Sequence, residues 1–457
     1  MTTLFAERAL LPEGWAESVR VTVGPDGRIA AVEEGAAARA GDERLTGRIL
    51  LPAPGNLHSH AFQRAMAGMT EGRNPAGSDS FWTWRELMYR FLEALTPDDV
   101  EAIAAMVQVE MAEAGYAAVA EFHYLHNQAG GGCYDDPAEL SARIMAAAAT
   151  TGLGLTLLPV AYVQGGCDGR SLKGGQLRFS CDIDRLQRIL DGVERAAPGL
   201  PADTCIGVAP HSLRAVPPGM VAEVARLRPG DPVHIHAAEQ TAEVAEVRAA
   251  HGARPVALLL DRVGVDARWC LVHCTHMDMT ERTGLARSGA VAGLCPITES
   301  SLGDGIFDGA AYRRAGGLFG VGSDSNIRIS LSEELRTLEY SQRLRDRARA
   351  VLAGPRSTGR TLFDAALAGS ARALGRDAGG IEAGRLADLV ALDAQALELV
   401  ALEADMALDG WIFAGDDRAV ADVWSAGRRL VTGGRHFARD PVEPRFRATL
   451  ARLRDAA

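Results

Sequence analysis

Lysine is almost missing from this chain of 457 residues: of its 48 basic side chains, only Lys173 is not an arginine. Any chemistry that needs a lysine rests on that one side chain. Paired cysteines are missing too. Cys133, Cys167, Cys181, Cys205, Cys270, Cys274 and Cys295 are odd in number, scattered and without a CxxC spacing. That argues against a disulfide framework or a thiolate zinc site and fits a reducing cytoplasm. No apolar run approaches the ~20 residues of a bilayer span, since charges or glycines interrupt even the Ala-rich stretch 102–120. The start MTTLFAERALLPEGW has acidic residues and a proline where a secretory signal needs a basic start and a longer apolar run. A formal charge of −11 excludes non-specific binding to nucleic acid or an anionic membrane. An anionic substrate would need local arginines to reverse that field.

Nearly half of the residues are hydrophobic and about a quarter are charged, so the chain can bury a large core and is globular. Residues 1–51 read as short strands with turns (SVRVTV, the Pro25–Gly27 turn, RIAAVEE). Residues 52–379 change to apolar runs alternating with amphipathic helical stretches, the pattern of repeated βα units. Eight runs stand out, at 49–60, 117–126, 154–163, 205–214, 232–240, 269–277, 290–298 and 318–326. Eight strands, each followed by a helix, predict an α/β fold with a closed (β/α)8 TIM-like barrel. Strand-like alternation returns over 380–442, with a hairpin around Ala426-Gly427. The expectation is a small β-sandwich domain built from both chain ends, and 443–457 as a terminal helix free to pack on either domain or on a second subunit.

Side chains two apart in a strand share a face, so His58 and His60 in HSH can grip one metal from the end of the first run. An HxH pair alone is weak evidence and is often two ordinary polar positions. Its placement strengthens it, because His236, His273 and Asp324 also fall at C-terminal ends of predicted strands, the face on which barrels build active sites. Three imidazoles and a carboxylate, His58, His60, His236 and Asp324, make a set suited to one divalent ion, zinc or iron, with room left for water. His234 competes through the pair His234/His236. His236 is preferred because Glu239 follows three residues later, and His234 then reads as a packed interior histidine.

These motifs resemble the amidohydrolase superfamily over essentially the whole chain: PGNLHSH (54–60), HIHAAE, the strand-six histidine, GSDS (322–325) and the closing GRLADLV. Many members bridge two metals with a carboxylated lysine on an inner strand. Lys173 lies in the glycine-rich loop GRSLKGGQ, so the resemblance implies the single-metal deaminase branch. It also implies catalytic roles for Glu239, His273 and Asp324: Glu239 as the proton carrier to the leaving nitrogen, His273 orienting the attacking oxygen, Asp324 taking the water's proton. Glu239 can equally be read as an acid at a helix N-terminus.

Within that superfamily, NLHSHAFQRAMAGM, SFWTWRELMYRF, AEFHYLH, HSLRAV, ESSLGDGIF and GSDSNIRISLSEELR are similar to the formimidoylglutamate deiminases. That likeness implies hydrolysis of N-formimino-L-glutamate to N-formyl-L-glutamate and ammonia in histidine breakdown, a substrate site of Gln63, Arg85, Tyr124, His211 and Arg214, and a homodimer. Guanidinium forks suit a substrate with two carboxylates. Plainer readings stand beside these: Arg85 as a surface or packing residue, and Trp82 and Trp84 packing a lid or subunit contact. At most one of His123 and Tyr124 faces a pocket, and Tyr124 is preferred; His126 and Arg328 receive no role. The competing functions are deamination of an aminoheterocycle or opening of an imidazolone ring on the same scaffold, and a catalytically dead interaction protein. Metal analysis of the purified chain is expected to find one zinc or iron per chain; two would refute the lysine argument, and none would favour the dead scaffold.

Overall fold

The computed structural model describes residues 1–71 and 81–456. Its central element is a ring of eight parallel strands: β1 (Gly55–Ser59), β2 (Ala118–His123), β3 (Gly154–Ala161), β4 (Cys205–Ile206 and Ala209–Pro210), β5 (Val233–Ala237), β6 (Trp269–His273), β7 (Val291–Leu294) and β8 (Leu318–Val321). Strands β2 and β3 are buried at every position. Packed on both faces, such strands need unbroken apolar runs and not alternation, which is how they stand out in the sequence.

The hydrogen-bonded ladder is not continuous around the ring. It runs from β1 to β4 and again from β5 to β8. The two seams are held by isolated bridges, Ser59 to Asp324 on one side and Val208 to Val233 and Ser212 to His236 on the other. Strand β4 is broken at Gly207, where a Cβ would lie 2.4 Å from the Pro232 carbonyl oxygen. The run 49–60, expected as one strand, serves two sheets. Glu43–Pro52 pairs with Thr2–Leu11 and Leu389–Asp393, and β1 starts only after Ala53 and Pro54. Prolines at 52 and 54 lack the N–H that would continue one ladder.

Both chain ends supply the second layer, an eight-stranded mixed sheet. Its order is Arg435–His436, Arg428–Thr432, Val420–Ser425, Leu389–Asp393, Glu43–Pro52, Thr2–Leu11, Gly14–Val23, Ile29–Glu33. Within 380–393 only Leu389–Asp393 is extended into a strand, the preceding residues forming turns. The terminal helix begins at Arg439, earlier than expected, and packs on the barrel helix Pro97–Glu113. Arg445 pairs with Glu101 at 3.0 Å, Arg439 with Glu113 and Arg452 with Asp99, while Leu453 is buried beneath them. No helix among the described residues is long and apolar enough to cross a membrane.

The barrel is locked to the sheet by a buried charge cluster. Arg376 bonds Asp388 at 2.6 Å and Asp203 at 2.7 Å, and Asp203 also accepts from Arg428 at 2.6 Å. Burial opposes ionisation of Asp203, yet the Arg428 and Arg376 guanidinium groups hold its pKa down at about 2. Removing one member of such a buried pair leaves an uncompensated charge, at a cost of about 3 kcal/mol. Asp203→Asn should lose about that much in urea unfolding at pH 7. Because the folded pKa is depressed, the wild type's advantage is complete above the ordinary carboxylate pKa of about 4 and fades as pH falls through about 2. A deficit that stayed constant into acid would refute this assignment.

Candidate active site

The seam between β1 and β8 brings three candidate metal ligands together, His58, His60 and Asp324, and His236 reaches them from β5. Across it the His60 N–H donates to the Asp324 carbonyl and the Asp324 N–H to the His58 carbonyl, each at 2.9 Å. Side chains fasten the same seam. Asn56 donates to Ser323 Oγ at 2.6 Å, Ser323 Oγ to Asn326 Oδ1 at 2.6 Å, and Asn326 to Ser59 Oγ at 3.1 Å. Gly322 permits the approach, since a Cβ there would lie 2.6 Å from the His58 nitrogen. Several chain turns into the site take left-handed backbone, at Ala238 (φ 54°), His273 (φ 69°) and Asp324 (φ 47°), a strain that persists where surrounding contacts dictate it.

The Nε2 atoms of His58, His60 and His236 lie 3.1, 3.2 and 3.3 Å from one another. Asp324 Oδ1 is 3.5 Å from His58 Nε2 and 3.3 Å from His60 Nε2. A tetrahedral zinc with ligand bonds near 2.1 Å spaces its ligand atoms about 3.4 Å apart, so these residues fit such an ion. The protonation pattern agrees. His60 Nδ1 is bonded to the Phe122 carbonyl and His236 Nδ1 to the His211 carbonyl, both at 3.0 Å. A carbonyl only accepts, so Nδ1 carries the proton and Nε2 keeps its lone pair. Burial pushes the His58 pKa down to about 3, and those of His60 and His236 below the usual range, leaving the rings neutral. Asp324, its Oδ1 3.3 Å from His60 Nε2, is the anionic member of the set. Lone pairs and an anion converging at this spacing repel, and a cation relieves them. His273, Cys295 and Asp324 form a second grouping, but burial holds the Cys295 thiol well above its usual pKa and so makes it a poor ligand.

A cavity opens over these groups. His60, His236, Asp324, Glu239 and His273 line it together with Gln63, Arg85, Tyr124, His211 and Arg214; His58 lies behind the lining. Gln63 donates to Tyr124 Oη at 2.7 Å, and Arg85 Nη2 to Tyr162 Oη at 2.9 Å. Arg214, read from sequence as a substrate ligand, donates from Nη2 to Glu239 Oε2 at 2.9 Å. His273 stands between carboxylates, with Nδ1 3.2 Å from Glu299 Oε1 and Nε2 3.8 Å from Glu239 and 3.9 Å from Asp324. Burial opposes its protonation, but Glu239, Glu299 and Asp324 outweigh burial and raise its pKa to about 10. With carboxylates facing both of its nitrogens, this ring is set to donate.

His234 bonds the Ala373 carbonyl at 2.7 Å and does not line the cavity. Nor does His123, whose ring packs on His126, or Arg328, which pairs with Glu333. Trp84 does line it, where a lid or subunit contact was expected; the side chain of Trp82 lies outside those described.

Residues 49–430 match the profile of the Amidohydrolase family, and residues 1–46 that of the formimidoylglutamate deiminase HutF N-terminal domain. The chain belongs to the amidohydrolase family. It is 50% identical to a formimidoylglutamate deiminase of Pseudomonas aeruginosa over 100% of both chains. A 5-methylthioadenosine/S-adenosylhomocysteine deaminase of Natronomonas pharaonis is 31% identical over 79% of this chain and 77% of its own. Among solved structures, an amidohydrolase from Brucella melitensis superposes with TM-score 0.94 at 48% identity, covering 99% and 100% of the two chains. An adenosine deaminase from Xanthomonas campestris with bound zinc, 24% identical, shares the fold (TM-score 0.83, 99% and 98% covered).

Several groups that hold this amidohydrolase site have no separate mark in the sequence. Glu299 orients His273 and also accepts the Cys295 N–H at 2.9 Å. Glu121 accepts the Ala61 N–H at 2.7 Å and so fixes the turn after His60; burial raises its pKa to about 7. Glu299 lies inside a stretch that carried the family likeness, but its partner is 26 residues away and no spacing rule connects them. Gly322→Ala should push the His58 backbone off β8 while replacing none of the candidate ligands. The expected result is metal retention weakened by about tenfold or more in chelator competition; retention equal to wild type would show that the seam's closeness does not matter.

Proposed function

We propose that the chain is a formimidoylglutamate deiminase, which hydrolyses N-formimino-L-glutamate to N-formyl-L-glutamate and ammonia in histidine degradation. The observation that carries this reading is 50% identity over the full length to a relative of that activity. The cavity chemistry supports it. In a chain with a net charge of −11, two guanidinium groups, Arg85 and Arg214, face the space above the histidine cluster, as a substrate with two carboxylates requires. An uncharged aminoheterocycle has no carboxylate for them to bind.

In this reading His58, His60, His236 and Asp324 hold one divalent ion, and zinc is favoured over iron by the nitrogen-rich set and by zinc in a fold relative. Such an ion supplies Lewis acidity that brings the pKa of a water toward about 7. Arg85, Arg214, Gln63, Tyr124 and His211 bind and orient the glutamate portion, so that the formimino carbon faces the water. Asp324 takes the water's proton as its oxygen adds to that carbon. His273, set between its carboxylates, donates toward the oxygen and holds the developing charge. Glu239 protonates the imino nitrogen, the proton held on Asp324 then passes to the resulting amine, and as the C–N bond breaks to release ammonia, not an amide anion, the adduct's hydroxyl closes to the formyl carbonyl and returns its proton to Glu239. Free cysteines support a reducing, cytoplasmic setting, and a homodimer completes the proposed description.

Ammonia release should be measured with N-formimino-L-glutamate, its aspartate and glycine counterparts, guanine and 5-methylthioadenosine. Strong preference for the glutamate compound is expected; preference for a heterocycle would defeat the reading. Arg214→Gln should lower kcat/KM for the glutamate compound by about 10–100-fold, the value of a charge-assisted hydrogen bond; an unchanged kcat/KM would remove Arg214 from the substrate site.

A further inference from the structure

One buried carboxylate beside the cavity has no part in the chemistry above. Glu243 is fully buried and occupies the first turn of the helix Thr241–His251, whose N-cap is Gln240. An acid at this position ordinarily reaches back to the N–H of the N-cap residue. Glu243 reaches further. Its Oε1 accepts the N–H of Ala238 at 3.0 Å and its Oε2 the N–H of Glu239 at 3.1 Å. Ala238 is the left-handed residue (φ 54°) at which the chain leaves β5, so this carboxylate clamps the turn that aims Glu239. The same Oε2 lies 3.9 Å from Arg214 Nε, and Arg214 Nη2 returns to Glu239 Oε2 at 2.9 Å. The path is closed: Glu243 holds the backbone of Glu239, the Glu239 side chain meets Arg214, and Arg214 faces Glu243.

We infer that Glu243 is a positioning residue that fixes Glu239 and Arg214 relative to one another, so that one buried anion sets both the proton carrier and the cavity guanidinium. The inference rests on the reading of Glu239 as the proton carrier. A cap that served only the helix would stabilise it wherever Glu239 pointed. The clamp uses both carboxylate oxygens as acceptors. Glutamine offers one acceptor and sets an NH2 against the second backbone N–H, which opens the turn without emptying the space.

Metal-loaded wild type, Glu243→Gln, Glu239→Gln and the double variant are compared for kcat and KM on N-formimino-L-glutamate, metal per chain and thermal midpoint, and E243Q is crystallised. Expected are a fall in kcat of about 10–100-fold for E243Q, the range for outer partners of a site, unchanged metal content, and no further loss when E243Q is added to E239Q. In the E243Q crystal the Arg214–Glu239 contact should be open. An unchanged kcat, an equal loss in both backgrounds or an intact contact would overturn the inference in favour of a helix cap alone. Should E243Q not fold, Glu243→Asp, one methylene shorter, takes its place with the same expectations. A wild type that releases no ammonia would defeat the substrate reading instead, and the crystal contact would then decide the positioning by itself.

Discussion

Three imidazole nitrogens and a carboxylate oxygen, packed at 3.1 to 3.5 Å from one another with the lone pairs of His60 and His236 facing inward, form an arrangement that electrostatics opposes. Much of the fold is explained by the need to hold it. The β1–β8 seam has a single bridge, yet it carries both backbone bonds between His58, His60 and Asp324 and the chain of side-chain bonds from Asn56 through Ser323 and Asn326 to Ser59. Where the regular ladder stops, specific polar contacts replace it. A strand ladder fixes direction to within its twist, whereas a metal site needs ligand atoms placed to within a few tenths of an ångström. The seam is therefore where irregular structure serves the chemistry.

Charge is handled by the same device at two places in the chain. Between barrel and sheet, Arg376 and Arg428 share Asp203; beside the cavity, Arg214 stands between Glu239 and Glu243. In each case buried ions neutralise one another locally, which an acidic chain with almost no lysine can do only with guanidinium. His273 is the mirror image, an imidazole whose carboxylate neighbours favour its protonated form. Its function follows from that environment and not from its residue type, because a lone buried imidazole, such as His234 with its pKa lowered to about 4, is neutral.

These contrasts mark how far the sequence could be read. The eight strands were legible because both-face burial writes continuous apolar runs, and the candidate ligands because they stand at the ends of those runs. Only the resemblance to known families pointed to Gln63, Arg85, Tyr124 and His211, now seen on one cavity. What was not legible depends on backbone direction. The run 49–60 is without a polar side chain from Ile49 through Gly55, so its division between two sheets at Pro52 and Pro54 changes no hydropathy. The bond from Arg214 to Glu239 spans 25 residues and two strand ends, while Glu243 has the appearance of any acid in a first helical turn. Trp84 was read as packing because an aromatic on an amphipathic helix usually is; its place on the cavity wall depends on how that helix lies across the barrel mouth.

The scarcity of lysine gains a second meaning at Arg214. A group that must be held by two carboxylates and still present donors to a cavity needs several N–H groups fixed in one plane, and only guanidinium has them. An ammonium at that position would be a point charge on a flexible stem. Bound to Glu239, it could not also hold the orientation that Glu243 imposes. The rigid fork makes the distance between proton carrier and cavity cation a property of the fold, so the geometry that reads an anionic substrate and the geometry that moves the proton are established together.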